Sequence, residues 1–167
     1  MDPYLYALIS TFVPEHSEYL TFMAGGRLVK EEQDGCTYAN GVLHSFDDKP
    51  AVICLDETQV WYKNGKLHRD GDLPAIIYSN GTQEWYKNGE RHRDGDLPAE
   101  IWSGGSQFWY KNGKLHRERD LPAEIWSNGA VAWYKNGKLH RDGELPAVIN
   151  PCGLQQWYKN GERFYPT

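Results

Sequence analysis

Five histidines recur at a constant interval, and histidine can serve as a metal ligand or an acid–base group. They are His44, His68, His92, His116 and His140, each 24 residues after the one before. If each interval supplies two β-strands, equivalent histidines lie about 10 Å apart. A zinc ion needs its ligands at about 2 Å, so neighbouring histidines could not share one. The spacing therefore predicts structural histidines that bond a turn carbonyl or a nearby Asp, and no metal site.

Arginine and acidic columns repeat at the same interval. The arginines are Arg69, Arg93, Arg117 and Arg141, and the acids are Asp72, Asp96, Asp120 and Glu144. Acid–base catalysis needs carboxylates that converge in a pocket. A flat repeated ladder offers no unique pocket, so we expect a protein that is not an enzyme, with no catalytic residues and no cofactor. Ion pairs between Arg and carboxylate, within or across repeats, are the structural expectation.

A lysine column forms a basic stripe beside the aromatic residues. Its members are Lys63, Lys87, Lys111, Lys135 and Lys159. Such a stripe could meet phosphate or anionic lipid, or it could be a solvated edge that discourages strand pairing. The net charge is -5, and acidic columns interleave with the lysines. We therefore favour the solvated edge, with no nucleic-acid partner and membrane contact only as a lesser alternative.

All these columns belong to one repeated unit. Trp61, Trp85, Trp109, Trp133 and Trp157 each begin the pentapeptide Trp-Tyr-Lys-Asn-Gly. A divergent copy of the unit precedes them, with Thr37 in the Trp position. We number the units 1 (37–60), 2 (61–84), 3 (85–108), 4 (109–132), 5 (133–156) and the partial unit 6 (157–167). One pentapeptide at a single period indicates a tandem-repeat protein.

Each unit is typical of short strands joined by tight turns. In unit 3 an alternating run ends at Asn88-Gly89, the strongest local signal for a type I′ β-hairpin, and Ala99–Trp102 is a second extended run. We therefore predict an all-β, elongated array of tandem hairpins over 37–167. In the loop, Arg119 occupies the column of Gly71, Gly95 and Gly143. That exchange predicts that the column does not require a positive φ.

Comparison of the units also predicts which side chains are buried. The isoleucine column never changes, and its members are Ile53, Ile77, Ile101, Ile125 and Ile149. The neighbouring column contains Val52, Ile76, Glu100, Glu124 and Val148. Because that second column accepts Glu, we expect it at the surface. Strand alternation then places the Ile column, with the Ala two residues earlier, on the core face.

The ends of the chain differ from the repeat. Residues 1–36 lack it, and 3–12 and 14–23 are predicted to form two short helices that cap the array or dock a partner. The three cysteines, Cys36, Cys54 and Cys152, have no paired spacing and are expected to be free thiols. With no apolar stretch of about 18 residues and no secretory signal, we expect a cytoplasmic or virion-associated protein that is not secreted.

The unit resembles the MORN repeat. The matching residues in unit 3 are Trp85, Asn88, Gly89, His92, Trp102 and Gly105. The Arg after each His and the Leu-Pro-Ala stretch are similar to a divergent branch found in phages and large DNA viruses. Residues 8–14, followed by Tyr19-Leu20, resemble the start of an F-box, which can precede such arrays. The resemblance implies stacked β-hairpins and a module for protein or membrane contact.

Repeat proteins read their partners with positions that vary between units. The variable columns contain Tyr78, Trp102, Trp126 and Asn150, and Glu84, Phe108, Ala132 and Gln156. The candidate partner-binding residues are therefore Tyr78, Trp102, Phe108 and Trp126. We expect a protein-binding or assembly scaffold, with possible self-association through sheet edges. The alternatives are a structural component of a virus or phage particle and an anionic-lipid-binding module.

The predicted cap leads to a truncation test. Deleting residues 1–36 should leave the repeats folded but prone to associate, because repeat stability is largely nearest-neighbour and an uncovered sheet edge exposes unpaired backbone groups. Size-exclusion chromatography with light scattering measures the outcome. A monomeric truncation of unchanged stability would instead favour a docking role for this segment.

Overall fold

The computed structural model describes residues 30–33 and 35–166, and within these ranges the chain is all-β. The two helices expected over 3–12 and 14–23 lie outside the described residues. Strand pairing begins before unit 1, because Lys30–Gln33 pairs antiparallel with Cys36–Ala39. These two strands form a three-stranded sheet of their own with Val42–Leu43. No helix among the described residues is long and apolar enough to cross a membrane.

The strands are short, and most contain two residues. In chain order they are β1 (Lys30–Gln33), β2 (Cys36–Ala39), β3 (Val42–Leu43), β4 (Val52–Ile53), β5 (Gln59–Val60), β6 (Tyr62–Lys63), β7 (Lys66–Leu67), β8 (Ile76–Ile77), β9 (Gln83–Glu84), β10 (Tyr86–Lys87), β11 (Glu90–Arg91), β12 (Glu100–Ile101), β13 (Gln107–Phe108), β14 (Tyr110–Lys111), β15 (Lys114–Leu115), β16 (Glu124–Ile125), β17 (Val131–Ala132), β18 (Tyr134–Lys135), β19 (Lys138–Leu139), β20 (Val148–Ile149), β21 (Gln155–Lys159) and β22 (Glu162–Phe164).

One antiparallel sheet of 11 strands runs through all the units, in the order β4-β5-β8-β9-β12-β13-β16-β17-β20-β21-β22. Units 1 to 4 each contribute two of its strands, unit 5 contributes β20, β21 spans units 5 and 6, and unit 6 ends with β22. Directly opposed residues share a face, so the register defines two lines of side chains across the sheet. One line contains Val52, Val60, Ile76, Glu84, Glu100, Phe108, Glu124, Ala132, Val148 and Gln156. The other contains the Ile column and the residues that alternate with it.

The Asn-Gly hairpins form a second row of strands, as the sequence predicts. In unit 2 the turn between β6 and β7 has φ of 51° at Asn64 and 74° at Gly65. Two consecutive positive φ values define the type I′ turn, which suits the twist of the paired strands. The Gly65 amide donates to the Leu43 carbonyl of unit 1 at 2.8 Å. The same bond recurs from each later hairpin, so the turns also join neighbouring units.

The buried face of the large sheet is the one that contains the glutamates, and the sequence-based assignment is wrong. Glu100 is 7% exposed and Ile76 is 1% exposed, whereas Ile53 is 59% exposed and the rest of the Ile column is half-buried. The Ala column is fully buried, as expected. The Glu column misled the comparison because its carboxylates are paired inside the protein, so their presence did not indicate exposure.

The adjacent Trp and Tyr that begin the pentapeptide of each unit lie in different environments. The Tyr side chains lie on the inner side, where Tyr62 packs with Val52 and Ile76 in the apolar core of units 1 and 2. Trp61, Trp85, Trp109 and Trp133 are buried beneath the arginine of the same unit. The Arg93 guanidinium carbon lies 4.0 Å from the Trp85 ring centroid, within cation–π range. This contact assigns the two aromatic columns, which sequence left open.

A second sequence expectation fails in the loop after each arginine. Arg119 has a φ of 62°, and the glycines of its column, such as Gly95 at 79°, are also positive. The left-handed conformation costs a residue with a side chain roughly 1–2 kcal/mol. Arg119 adopts the conformation of its column despite this cost, so the presence of a bulky residue did not indicate a relaxed backbone.

Adjacent isoleucines provide a matched test of the corrected face. Replacing Ile76 with Ala should lower the unfolding free energy by about 2–5 kcal/mol, because the residue is fully buried. Replacing Ile77 with Ala, on the half-exposed face, should cost clearly less. Urea denaturation of both variants measures the difference. Equal losses would contradict the face assignment.

Candidate partner-binding surface

Three of the candidate aromatic residues form one cluster in units 3 and 4. The ring centroids of Trp102 and Phe108 lie 5.0 Å apart, those of Trp102 and Trp126 5.2 Å, and those of Phe108 and Trp126 5.0 Å. The two indoles meet edge to face at 89°, a favourable geometry for aromatic pairs. Strands β12, β13 and β16 position these rings, because they are consecutive in the large sheet.

The members of the cluster are not equally accessible. Trp102 is 40% exposed, Trp126 is half-buried, and Phe108 is only 4% exposed. The expectation that Phe108 contributes exposed surface is therefore wrong, since it supports the two indoles from below. Tyr78 lies outside these ring contacts and is half-buried, with its hydroxyl donating to Glu84 at 3.2 Å. Trp102 and Trp126 are the residues of this group that can meet a partner.

Each of the two indoles is anchored on the carboxylate two residues before it. Trp102 Nε1 donates to Glu100, and Trp126 Nε1 donates to Glu124 at 3.2 Å. A bonded indole N–H restricts rotation of the ring and leaves one apolar face for contact. Burial raises the pKa of the Glu124 carboxyl, and the neighbouring Glu100 charge adds to that effect, although its bonds from Trp126 and Tyr134 oppose it.

An ion triad lies beneath the cluster, and sequence reasoning missed it. Arg91 Nη2 lies 2.8 Å from Glu84 Oε1, and Arg91 Nη1 lies 3.1 Å from Glu100 Oε2. Burial alone would lower the pKa of Arg91, but the two carboxylates raise it above its usual value. The sequence did contain a sign of this triad, because Arg and Glu together replace residues that are mainly apolar in the other units. Arg91 occupies the column of Leu67 and Leu115, and Glu84 and Glu100 occupy two further columns that are otherwise mainly apolar.

The tyrosines around the triad complete its hydrogen bonds. Tyr86 donates to Glu84 Oε2 at 2.8 Å, and Arg91 Nη1 lies 3.4 Å from the Tyr110 hydroxyl. Burial, followed by the Glu84 charge, raises the pKa of Tyr86. A buried carboxylate is tolerated only with such partners. The centre of the array is therefore a satisfied polar network, in contrast to the apolar core of units 1 and 2.

The lysine stripe is paired within the units. The Lys63, Lys87, Lys111 and Lys135 ammonium groups lie 2.8–3.5 Å from Asp70, Asp94, Glu118 and Asp142. Lys159 has no equivalent acid, because Pro166 occupies that register position. These exposed pairs offset the positive charge along most of the stripe, so it presents little net cationic field.

The histidines join neighbouring units through Nδ1 and contact an acid of their own unit through Nε2. In unit 3, the Asn112 amide donates to His92 Nδ1 at 3.2 Å, and His92 Nε2 lies 2.9 Å from Asp94 Oδ1. The first bond requires an unprotonated Nδ1, which assigns the proton to Nε2, where it faces the carboxylate. No group of three or more potential metal ligands is found among the residues that the structure describes. The ladder therefore has a bonding role between units.

Comparisons with protein-family models, with curated proteins and with solved structures found no match.

Acid should weaken the fold over a defined interval. Bonds from Lys87 and then His92 lower the pKa of Asp94 to about 2, and their equivalents lower the pKa of Asp70, Glu118 and Asp142. A lowered folded pKa stabilises the protein above the unfolded value, about 4, and this contribution is lost as pH falls through the folded value. Urea midpoints should therefore drop between about pH 4 and pH 2.

The variant Asp94→Asn should show a smaller drop across the same interval, because one of the contributing carboxylates is removed. The pKa of Glu124 is shifted in the opposite direction, so its effect on stability has the opposite dependence on pH. Its raised pKa favours the folded state at low pH, and this contribution fades as pH rises through the folded pKa. A midpoint that stays constant down to pH 2 would contradict the role of the paired carboxylates.

Proposed function

We propose that this protein is a non-enzymatic scaffold that binds another protein through the surface formed by Trp102 and Trp126. The observation that carries the proposal is the exposed aromatic cluster. Trp is buried at the start of units 2 to 5, yet these two additional tryptophans reach the surface. Tryptophan is enriched in the residues that dominate binding energy at protein interfaces.

The surface is already ordered before a partner arrives. The indoles are tied to Glu100 and Glu124 and packed on buried Phe108, so little side-chain freedom remains to be lost on binding. Their mutual contacts also make a continuous apolar patch, which is larger than a single exposed ring. A rigid aromatic patch on a sheet is well suited to a flat or extended protein surface.

The resemblance to MORN repeats is consistent with the same proposal, since it implies a module for protein or membrane contact. The alternative as a structural component of a virus or phage particle rests on that resemblance alone. The anionic-lipid alternative is disfavoured, because the Lys63, Lys87, Lys111 and Lys135 charges are paired with acids inside each unit. Protein binding is therefore the function that the following variants are designed to test.

The repeat supplies substitutions that the fold already accepts. Trp102→Tyr introduces the residue of unit 2, and Glu124→Val with Trp126→Asn introduces the pair of unit 5. Combining the three changes should remove both indoles without leaving a buried carboxylate unpaired, because Glu124 is removed together with Trp126 and Glu100 keeps its ion pair with Arg91. The variant should fold and lose its partner.

Affinity purification from cells of the source organism, with wild type and triple variant in parallel, measures this loss. Cross-linking mass spectrometry should localise the contact to units 3 and 4. Tyr165→Asn is the matched control, because Tyr165 is a 74% exposed aromatic residue outside the cluster. Interactors retained equally by wild type and triple variant would contradict this site.

A further inference from the structure

Asn-Gly dipeptides occur eight times in the chain, and this sequence is chemically labile. The asparagines are Asn40, Asn64, Asn80, Asn88, Asn112, Asn128, Asn136 and Asn160. In each dipeptide the backbone nitrogen of Gly can attack the side-chain carbonyl carbon of Asn, and Gly has no side chain to hinder the approach. The reaction requires a Gly amide that can lose its proton and move towards the side chain. A hydrogen bond from that amide opposes both steps.

Five of the eight Gly amides are held by the preceding unit. Those of Gly65, Gly89, Gly113, Gly137 and Gly161 donate to backbone carbonyls of the unit before them at 2.8–2.9 Å. The side chains of that unit also crowd these glycines. A Cβ at Gly65 would lie 3.5 Å from Val42, and one at Gly137 would lie 3.6 Å from Lys114. The turns are therefore held against the movement that the reaction requires.

Two further dipeptides lie in the second turn of units 2 and 4, and they are tied within that turn. Gly81 donates to the Tyr78 carbonyl and Gly129 to the Trp126 carbonyl, both at 2.9 Å. In each case the Asn side-chain oxygen is also engaged. Asn80 Oδ1 accepts the Thr82 amide at 2.8 Å, and Asn128 Oδ1 accepts the following amide in the same way. Both reacting groups are bonded in these turns.

Asn40-Gly41 has the same turn, but no described residue supplies this protection. Its φ values of 50° and 73° match those of the other hairpins. Within residues 30–33 and 35–166, no hydrogen bond reaches the Gly41 amide, and no histidine accepts the Asn40 amide. Both residues are exposed, and a Cβ at Gly41 would meet nothing within 4 Å. The sequence supplies a reason, since unit 1 has no repeat unit before it to provide the carbonyl and the histidine.

We propose that Asn40 is a site of spontaneous deamidation that the rest of the array avoids. The Gly41 nitrogen forms a bond to Asn40 Cγ, the Cγ–Nδ2 bond breaks, and ammonia leaves with the proton that Gly41 gave up. Water then opens the succinimide ring at either carbonyl and yields aspartate or isoaspartate. Both products add a negative charge, and isoaspartate inserts an extra backbone methylene into a two-residue turn.

The damage should spread inward from unit 1. The Leu43 carbonyl and His44 Nδ1 are the acceptors that hold Gly65 and Asn64 of unit 2, at 2.8 and 3.2 Å. Distortion of the first hairpin moves both acceptors. Asn64 then loses its protection and becomes the next residue to deamidate. Loss of the array thus begins at one position and proceeds in chain order.

Peptide mapping by mass spectrometry tests the proposal on the intact protein incubated at mildly alkaline pH. Asn40 should deamidate faster than each of the other seven asparagines by roughly tenfold or more, because a bonded amide must first open. The same incubation in urea is the control, and there the eight rates should converge. A folded-state rate at Asn40 equal to those of the other hairpins would overturn the proposal.

The variant Asn40→Gly tests the inward spread, because Gly accepts the same positive φ and carries no amide. It should delay deamidation at Asn64 and leave the rates at Asn112 and Asn136 unchanged. If Asn64 deamidates equally fast in wild type and variant, the spread from the first hairpin is contradicted. The rate at Asn40 in the wild-type protein still decides the site itself.

Discussion

The fold depends on a contact that each unit makes with the unit before it. In unit 3, Arg93 stacks on Trp85 and donates two bonds to the Asp72 carboxylate of unit 2, at 2.8 and 2.9 Å. Trp85 Nε1 donates to the backbone carbonyl of the same Asp72 at 3.1 Å. One aspartate therefore receives three bonds from its neighbour, two of them from a bidentate guanidinium, which is the strong geometry for such pairs. The same arrangement recurs between units 1 and 2, 3 and 4, and 4 and 5.

This contact explains how such short strands form a stable sheet. Two-residue strands bury little apolar surface, and an isolated hairpin is marginal in water. This contact of Arg, Trp and Asp buries the Trp ring with its N–H bonded. The hairpin and histidine bonds add further links to the same neighbouring unit. Stability of this kind is nearest-neighbour, as in other repeat proteins. The stack of Arg on Trp is missing where Thr37 replaces Trp and where Tyr165 replaces Arg. Unit 6 nevertheless keeps the bonds of Trp157, Asn160 and Gly161 to unit 5.

The sequence predicted the features that depend on local geometry. The period, the Asn-Gly turns and the buried Ala column all follow from residue types at fixed positions. The buried face did not follow, because Glu100 is satisfied by Arg91 from a different strand, and a column comparison treats each position alone. The positive φ of Arg119 did not follow either, because a side chain disfavours the left-handed conformation without excluding it. In the candidate site, the sequence identified Trp102 and Trp126 as candidate contact residues. The burial of Phe108 could not be predicted, because it depends on the register between strands.

The exposed tryptophans and the buried glutamates are two parts of one feature. Across the units, the residue pairs at these two positions are Val52 with Cys54, Ile76 with Tyr78, Glu100 with Trp102, Glu124 with Trp126, and Val148 with Asn150. Trp occurs only with Glu, because side chains two residues apart in a strand share a face and the indole N–H needs an acceptor. Two glutamates in the line across the buried face, Glu84 and Glu100, in turn require Arg91 in a column that otherwise holds Leu in units 1, 2, 4 and 5. A change in the surface of this array is therefore constrained by the charge that the interior can balance.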